Sequence, residues 1–202
     1  MADIPETPAP KATDRARTAA SAAGSFVSIY VGLALPALWA GVGPLGVGAI
    51  AMAMISLLLA GTLIALSTVD WLEHRLPDVL TLPLIIAGLA LHVMDGREVL
   101  VDRCLGAIAG YGSLHAAEWL YRRWRGRAGL GLGDAKLFAA AGAWLGLSAL
   151  PFVMLGASLS ALVAVALLGL AGRPMTMTSR LAFGPWLAVA FWAIWLYGPI
   201  GD

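Results

Sequence analysis

Three aspartates stand where a carboxylate is hardest to explain. Asp70 closes an apolar stretch in the run STVDWLEHRLPDVLTLP, and Asp78 follows Pro77 in the same run. Asp134 opens another apolar stretch in GRAGLGLGDAKLFAAAGAWLG. Two carboxylates brought together from different helices cannot both ionise, so they hold one proton between them. The ionised one can take a proton from water as that water attacks an amide carbonyl. The protonated one can donate to the carbonyl oxygen and later help protonate the leaving amine. Such hydrolysis needs neither a metal nor a covalent intermediate. The three histidines, His74, His92 and His115, show no HExxH or paired spacing, which argues against a zinc hydrolase. The single cysteine, Cys104, rules out a CxxC ribbon or a disulfide within the chain. No metal and no cofactor is expected.

Each acid also has a purely local reading. Asp is a favoured helix N-cap, because its carboxylate accepts backbone N–H groups that the first turn leaves without partners. Asp78 fits that role, and Asp134 could fill it for its own helix. Asp70 does not fit, since it lies at a helix C-terminal end, where the macrodipole disfavours negative charge. An acid set against the dipole and beside lipid costs stability and so points to function. Ahead of Asp134, Gly126, Gly129, Gly131 and Gly133 predict a loop permissive of positive φ and close backbone approach, against which an extended chain could hydrogen-bond. A phosphate cradle is not expected, because no GxxxxGK[ST] is present and the loop leads straight into an apolar segment.

The elements that must position these acids follow from composition. The chain has 202 residues, 60% hydrophobic and 12% charged, with mean hydropathy +0.84. A soluble domain is roughly 45–50% apolar and about 25% charged. The fold class expected is an all-α, polytopic membrane bundle of about seven transmembrane helices, over 25–40, 47–70, 79–94, 99–121, 134–149, 151–171 and 183–198. Segment 99–121 is the weakest, being interrupted by Asp102, Arg103, His115 and Glu118. Gly106/Gly110 and Gly142/Gly146 recur at the four-residue spacing of close helix packing in lipid. Residues 1–24, rich in Pro, Ala and Thr, read as a flexible cytoplasmic tail ahead of a membrane-embedded domain over 25–202. The alternative, residues 25–40 as a cleaved signal peptide, has an unusually long polar lead and leaves the second span in place.

The charges are few and strongly sorted. With the N-terminus in the cytoplasm, eleven of the thirteen Lys and Arg fall on the cytoplasmic side, leaving only Arg97 and Arg103 opposite. That orientation puts Asp70, Asp78 and Asp134 on the cytoplasmic face. A formal net charge of +1, sorted in this way, reports topology and gives no nucleic-acid footprint. The run RRWRGR, Arg122–Arg127, suits anionic lipid headgroups.

GLGD, Gly131–Asp134, matches the GxGD motif of intramembrane-type aspartyl proteases. Combined with DWLEHRLPD (Asp70–Asp78), the following VLTLPL, the extended GLGDAKLFAAAGAWLG and a late FGPWLAVA (Phe183–Ala190), it resembles the prepilin peptidases, the leader peptidases of type IV pili and type II secretion systems. The resemblance covers roughly residues 47–198. It implies Asp70 and Asp134 as the catalytic pair, with Pro77 and Asp78 as a structural corner beside the site. It also implies Gly131, Gly133 and Lys136 as loop-forming or substrate-binding residues, Lys136 being read equally as a snorkelling basic anchor. The implied substrates are prepilins or pseudopilins with a short basic leader, and the implied place is the bacterial inner membrane. Long family members also N-methylate the new terminus and carry paired CxxC motifs between the first two spans. Here only GVGPLG joins those spans, so a peptidase-only form is expected.

Rival readings fit less well. A proton-coupled transporter would place acids near the bilayer midplane and show internal repeats, neither of which is visible. A presenilin-like protease would carry its PAL motif after GxGD, whereas Pro36-Ala37-Leu38 lies far before it. A purely structural subunit leaves Asp70 without explanation.

Overall fold

The computed structural model describes residues 12–40, 47–126, 131–170 and 182–198. Among them are seven helices and no strand: α1 (Ala12–Ala40), α2 (Val47–Glu73), α3 (Asp78–Leu91), α4 (Arg97–Arg125), α5 (Leu132–Leu145), α6 (Leu150–Leu170) and α7 (Gly184–Tyr197). The chain is a helical membrane bundle. Three of its helices contain stretches long and apolar enough to cross a bilayer, Ala16–Pro36, Ile50–Glu73 and Leu150–Leu167, while α3 and α7 are shorter apolar helices.

α1 starts well inside the stretch expected to be a flexible tail. RARTAASAA is built largely from good helix formers. The hydroxyls of Thr18, Ser25 and Ser28 donate back to carbonyls one turn earlier. Residues 1–11, including Lys11, lie outside the described residues, as do Arg127, Gly129, Arg173 and Arg180. α3 also ends earlier than its apolar run suggests, at Leu91, and residues 92–94 form a turn.

The anchoring contacts give the helix directions. Between α4 and α5, Gly110 lies against Phe138 and Gly106 against Gly142, so one series of numbers falls as the other rises. α3 and α5 run side by side in the same sense, with the Trp144 indole N–H donating to the Leu84 carbonyl at 2.8 Å. α7 is tied to α1 by the Trp192 indole N–H on the Tyr30 carbonyl, at 3.3 Å, and to α2 by the Trp195 indole N–H on Ser56 Oγ, at 3.0 Å. These indole bonds matter because a buried N–H without a partner is expensive in a medium that holds no water.

The interior is α5. From Ala135 to Trp144 it is buried at every position except Lys136, which is half-buried. Its 14 residues rise only about 21 Å, less than a bilayer core of about 30 Å. Sheathed by α3, α4 and α7, it meets other helices instead of lipid. Small residues make that possible. A Cβ on Gly110 would stand 2.6 Å from the Phe138 carbonyl oxygen, and a Cβ on Gly106 would stand 2.7 Å from that of Gly142. Two backbones therefore touch where side chains would hold them apart.

The polar residues that weaken α4 as a span are turned to use. Glu118 is buried and lies 3.7 Å from Arg122 one turn on, Tyr111 stacks on His115, and the Asp102 and Arg103 side chains pack at Gly146, the C-terminal end of α5. The opposite face of α4 offers Val101, Leu105 and Ile108 outward, matching exposed Leu, Ile, Val and Met on α1, α2 and α6. Apolar surface on that scale suits contact with lipid.

Gly142→Leu is expected to lower the unfolding midpoint in detergent, destabilising the fold by about 1–3 kcal/mol through overpacking against α4. Gly112→Ala, where an added Cβ meets nothing within 4 Å, should leave the midpoint unchanged or raise it slightly.

Candidate active site

Four helix ends meet at one end of the bundle: the C-terminus of α2 and the N-termini of α3, α5 and α7. α2 stops at a tight corner. The His74 amide donates to the Asp70 carbonyl at 2.8 Å, and His74 itself adopts φ +52°, a left-handed conformation that breaks the helix. Leu76 then turns inward and is buried, and Pro77 starts α3 from an extended conformation, φ −71° and ψ 133°. The Pro77 carbonyl accepts from the amides of Leu80 and Thr81 at 3.1 and 3.2 Å.

Asp70 occupies the last turn of α2 and Asp134 the first turn of α5. They are 6% and 7% exposed, so two carboxylates 64 positions apart in sequence are both withdrawn from solvent. They converge on Gly184, the first residue of α7. Its amide donates to Asp70 Oδ2 at 3.1 Å. A Cβ placed on Gly184 would lie 2.6 Å from Asp70 Oδ2 and 3.4 Å from Asp134 Oδ1. A single point therefore touches both acids, and a Cβ there would have to displace the Asp70 carboxylate. The other carboxylate oxygen of Asp134 faces Gly131, lying 3.4 Å from where a Cβ on that residue would be.

The dipole conflict anticipated at Asp70 is met from outside its own helix. The first-turn amides of a helix lack internal partners and carry partial positive charge. α7 points one of these amides at Asp70, which offsets the opposing field of α2. Asp134 needs no such help, being in the first turn of α5, where an anion is favoured.

Several expectations change here. Asp78 is not a cap: Pro77 holds the N-cap position of α3, with no side-chain cap bond. The Asp78 carboxylate instead meets Lys136 Nζ, Oδ1 to nitrogen 2.5 Å, across the gap between α3 and α5. Asp134 does not cap either, because Gly131 holds that position and Asp134 lies inside the first turn. The expected glycine loop is shorter than predicted. Leu132 and Gly133 are already helical, and Gly131 has an ordinary φ of −73°. Gly133 is needed for contact: a Cβ there would stand 2.7 Å from Leu76 Cβ. Gly126 closes α4 in the left-handed region at φ +67°.

Gly184 is the site residue that sequence reasoning did not single out. Its signal was present in FGPW, where glycine precedes proline at the start of an apolar run, a common helix opening. Its role depends on a contact 114 positions away. Among the described residues, no three His, Cys, Asp or Glu side chains are grouped so as to hold a metal ion.

The fold and the site together define an all-helical membrane protein with two buried carboxylates meeting from separate helices. The chain belongs to the Type IV leader peptidase family, which it matches over residues 57–167. It is 47% identical over 135 residues to the prepilin leader peptidase/N-methyltransferase of Dickeya chrysanthemi, a match covering 67% of this chain and 47% of that protein. The corresponding protein of Neisseria gonorrhoeae is 44% identical over 68% of this chain and 46% of its own length. That of Burkholderia pseudomallei is 38% identical over 83% and 56%. The chain thus spans about half the length of these relatives. No solved structure matches it. The family match includes Asp70, Asp78, Asp134 and Lys136, and Gly184 lies beyond it.

Gly184→Ala is expected to displace the Asp70 carboxylate while the helices stay folded. A misplacement of about 1 Å at reacting groups costs on the order of 100-fold in rate. For any hydrolysis that the two acids carry out, a loss of that size at an unchanged unfolding midpoint is the expected result.

Proposed function

We propose that this chain is an aspartic endopeptidase that cleaves the short basic leader from type IV prepilins or type II secretion pseudopilins, with Asp70 and Asp134 as its dyad. The observation that carries the reading is the convergence of two buried carboxylates on the Gly184 position. Family membership supports the substrate class.

Buried and adjacent, the two acids share one proton. The ionised member removes a proton from a water molecule as its oxygen attacks the scissile carbonyl carbon. The protonated member gives its proton to the carbonyl oxygen, so no free oxyanion or hydroxide forms. As the tetrahedral intermediate collapses and the C–N bond breaks, the acid that took the water's proton gives it to the amine nitrogen, and the other acid takes a hydroxyl proton from the intermediate as the carbonyl re-forms. The dyad returns to its starting state with one proton, ready for another water.

The location of the acids suits such a substrate. They lie at helix ends, where an extended segment leaving a membrane helix would arrive. Extended backbone at that depth needs protein or water to satisfy its polar groups. The charge distribution supports a cytoplasmic position for this end of the bundle. The same end carries Arg122, Arg123 and Arg125 in the last turn of α4, with the Arg123 guanidinium 5.8 Å from the centre of the Trp119 ring. Arginine beside exposed tryptophan suits the headgroup layer of an anionic leaflet.

Asp70→Ala and Asp134→Ala should each abolish leader cleavage in a membrane assay, and Asp78→Ala should lower it without abolishing it. Normal processing by either dyad variant overturns the assignment. Cleavage should persist in chelator, and loss of activity that added metal restores would contradict a two-carboxylate mechanism. Mass measurement of the product from co-expressed prepilins and pseudopilins identifies the bond cut and reports any methyl group added.

A further inference from the structure

Asp70 and Asp134 lie at helix ends on either side of the corner that joins α2 to α3. Behind Asp70, the chain leaves α2 through His74, buries Leu76 and enters α3 at Asp78. Behind Asp134, α5 continues to Lys136. Leu76 is pressed against Gly133, the residue before Asp134, closely enough that a Cβ on that glycine would overlap it. On the outer side of the same contact, Lys136 Nζ meets Asp78 Oδ1 at 2.5 Å. The corner therefore grips the first turn of α5 twice, once by an apolar contact next to Asp134 and once by an ion pair two residues beyond it.

We infer that Asp78 and Lys136 are positioning residues for the dyad: their ion pair ties the α2–α3 corner to α5 and so holds the Asp70 and Asp134 carboxylates in register. This inference rests on the peptidase reading above. Neither residue need touch the substrate. Lys136 is spoken for by Asp78, which separates this role from the substrate contact and the lipid anchor that its sequence position suggests. The Asp78 side chain is 57% exposed and that of Lys136 26%. Such a pair adds little to global stability. Its effect belongs in the geometry of the site, where small displacements carry large kinetic consequences.

A double-mutant cycle on cleavage kinetics tests this, using the full chain in membranes and a prepilin peptide of fixed sequence. Asp78→Leu and Lys136→Met each keep about the bulk of the side chain and remove both the charge and the hydrogen bond of the pair. Each is expected to lower kcat by roughly 10-fold with KM nearly unchanged, because ordering of the reacting groups is lost and substrate binding is not. The double variant should be no slower than either single one, since the interaction can be removed only once. Lys136→Arg, which preserves the charge, should recover most of the wild-type kcat. Three results overturn the inference: single variants with wild-type kcat, losses that multiply in the double variant, or a change confined to KM, which marks Lys136 as a substrate contact. Asp134→Asn serves as the reference. If wild-type protein cuts the peptide and Asp134→Asn does not, the peptidase reading stands whatever the cycle shows.

Discussion

A carboxylate buried at the C-terminal end of a helix must be supplied with positive charge from elsewhere, and the amide of Gly184 supplies it to Asp70. The arrangement around the site follows from that requirement. α7 has to begin beside the last turn of α2, and its first residue is glycine, because a Cβ there would enter the space of the Asp70 carboxylate and touch that of Asp134. α7 is then held along its length by Trp192 on Tyr30 and Trp195 on Ser56, which fix the helix that brings the amide. In lipid, where burial of apolar surface gives helices little reason to prefer one another, such specific contacts set the packing.

Asp134 is placed by a different device. α5 is short, almost wholly buried and lined with alanine and glycine, so α3, α4 and α7 can close around it. The glycines at 106, 110 and 142 allow backbone to approach backbone, which fixes how far α5 projects toward the site. At its start, Gly133 against Leu76 and Lys136 against Asp78 join α5 to the corner that follows Asp70. One acid is thus steadied through hydrogen bonding from a third helix, and the other through packing of its own.

Much of this was legible in the chain. Charge is so scarce that Asp70, set against its own dipole, stands out from residue type and position alone. The four-residue glycine spacing on two segments pointed to close packing, and α4 and α5 meet there. The seven apolar segments correspond to the seven helices. What was hidden depends on tertiary contact. Asp78 looks like an N-cap because Asp is a favoured residue where a helix starts. Its true partner, Lys136, lies 58 positions away. Gly133 looks like a loop residue because glycine at every second position, 129, 131 and 133, suggests a loop, yet here it serves a helix packed on Leu76. Gly184 carries no charge or hydroxyl, so nothing in its type announces contact with an acid. α1 begins early because an alanine-rich run with scattered charge has the composition of a loose tail and the propensity of a helix.

The central claim is that Asp70 and Asp134, from separate helices, occupy one site. Thiol cross-linking in native membranes tests it without reference to activity. With Cys104→Ser removing the natural thiol, Asp70→Cys and Asp134→Cys are combined and treated with a short bifunctional thiol reagent. Cleavage of the chain between the two positions is then followed by gel mobility. The convergence seen at Gly184 predicts that the two fragments stay joined until the link is broken, whereas single-cysteine chains separate. Fragments that separate even though both thiols have reacted would place the two acids apart and contradict a shared site.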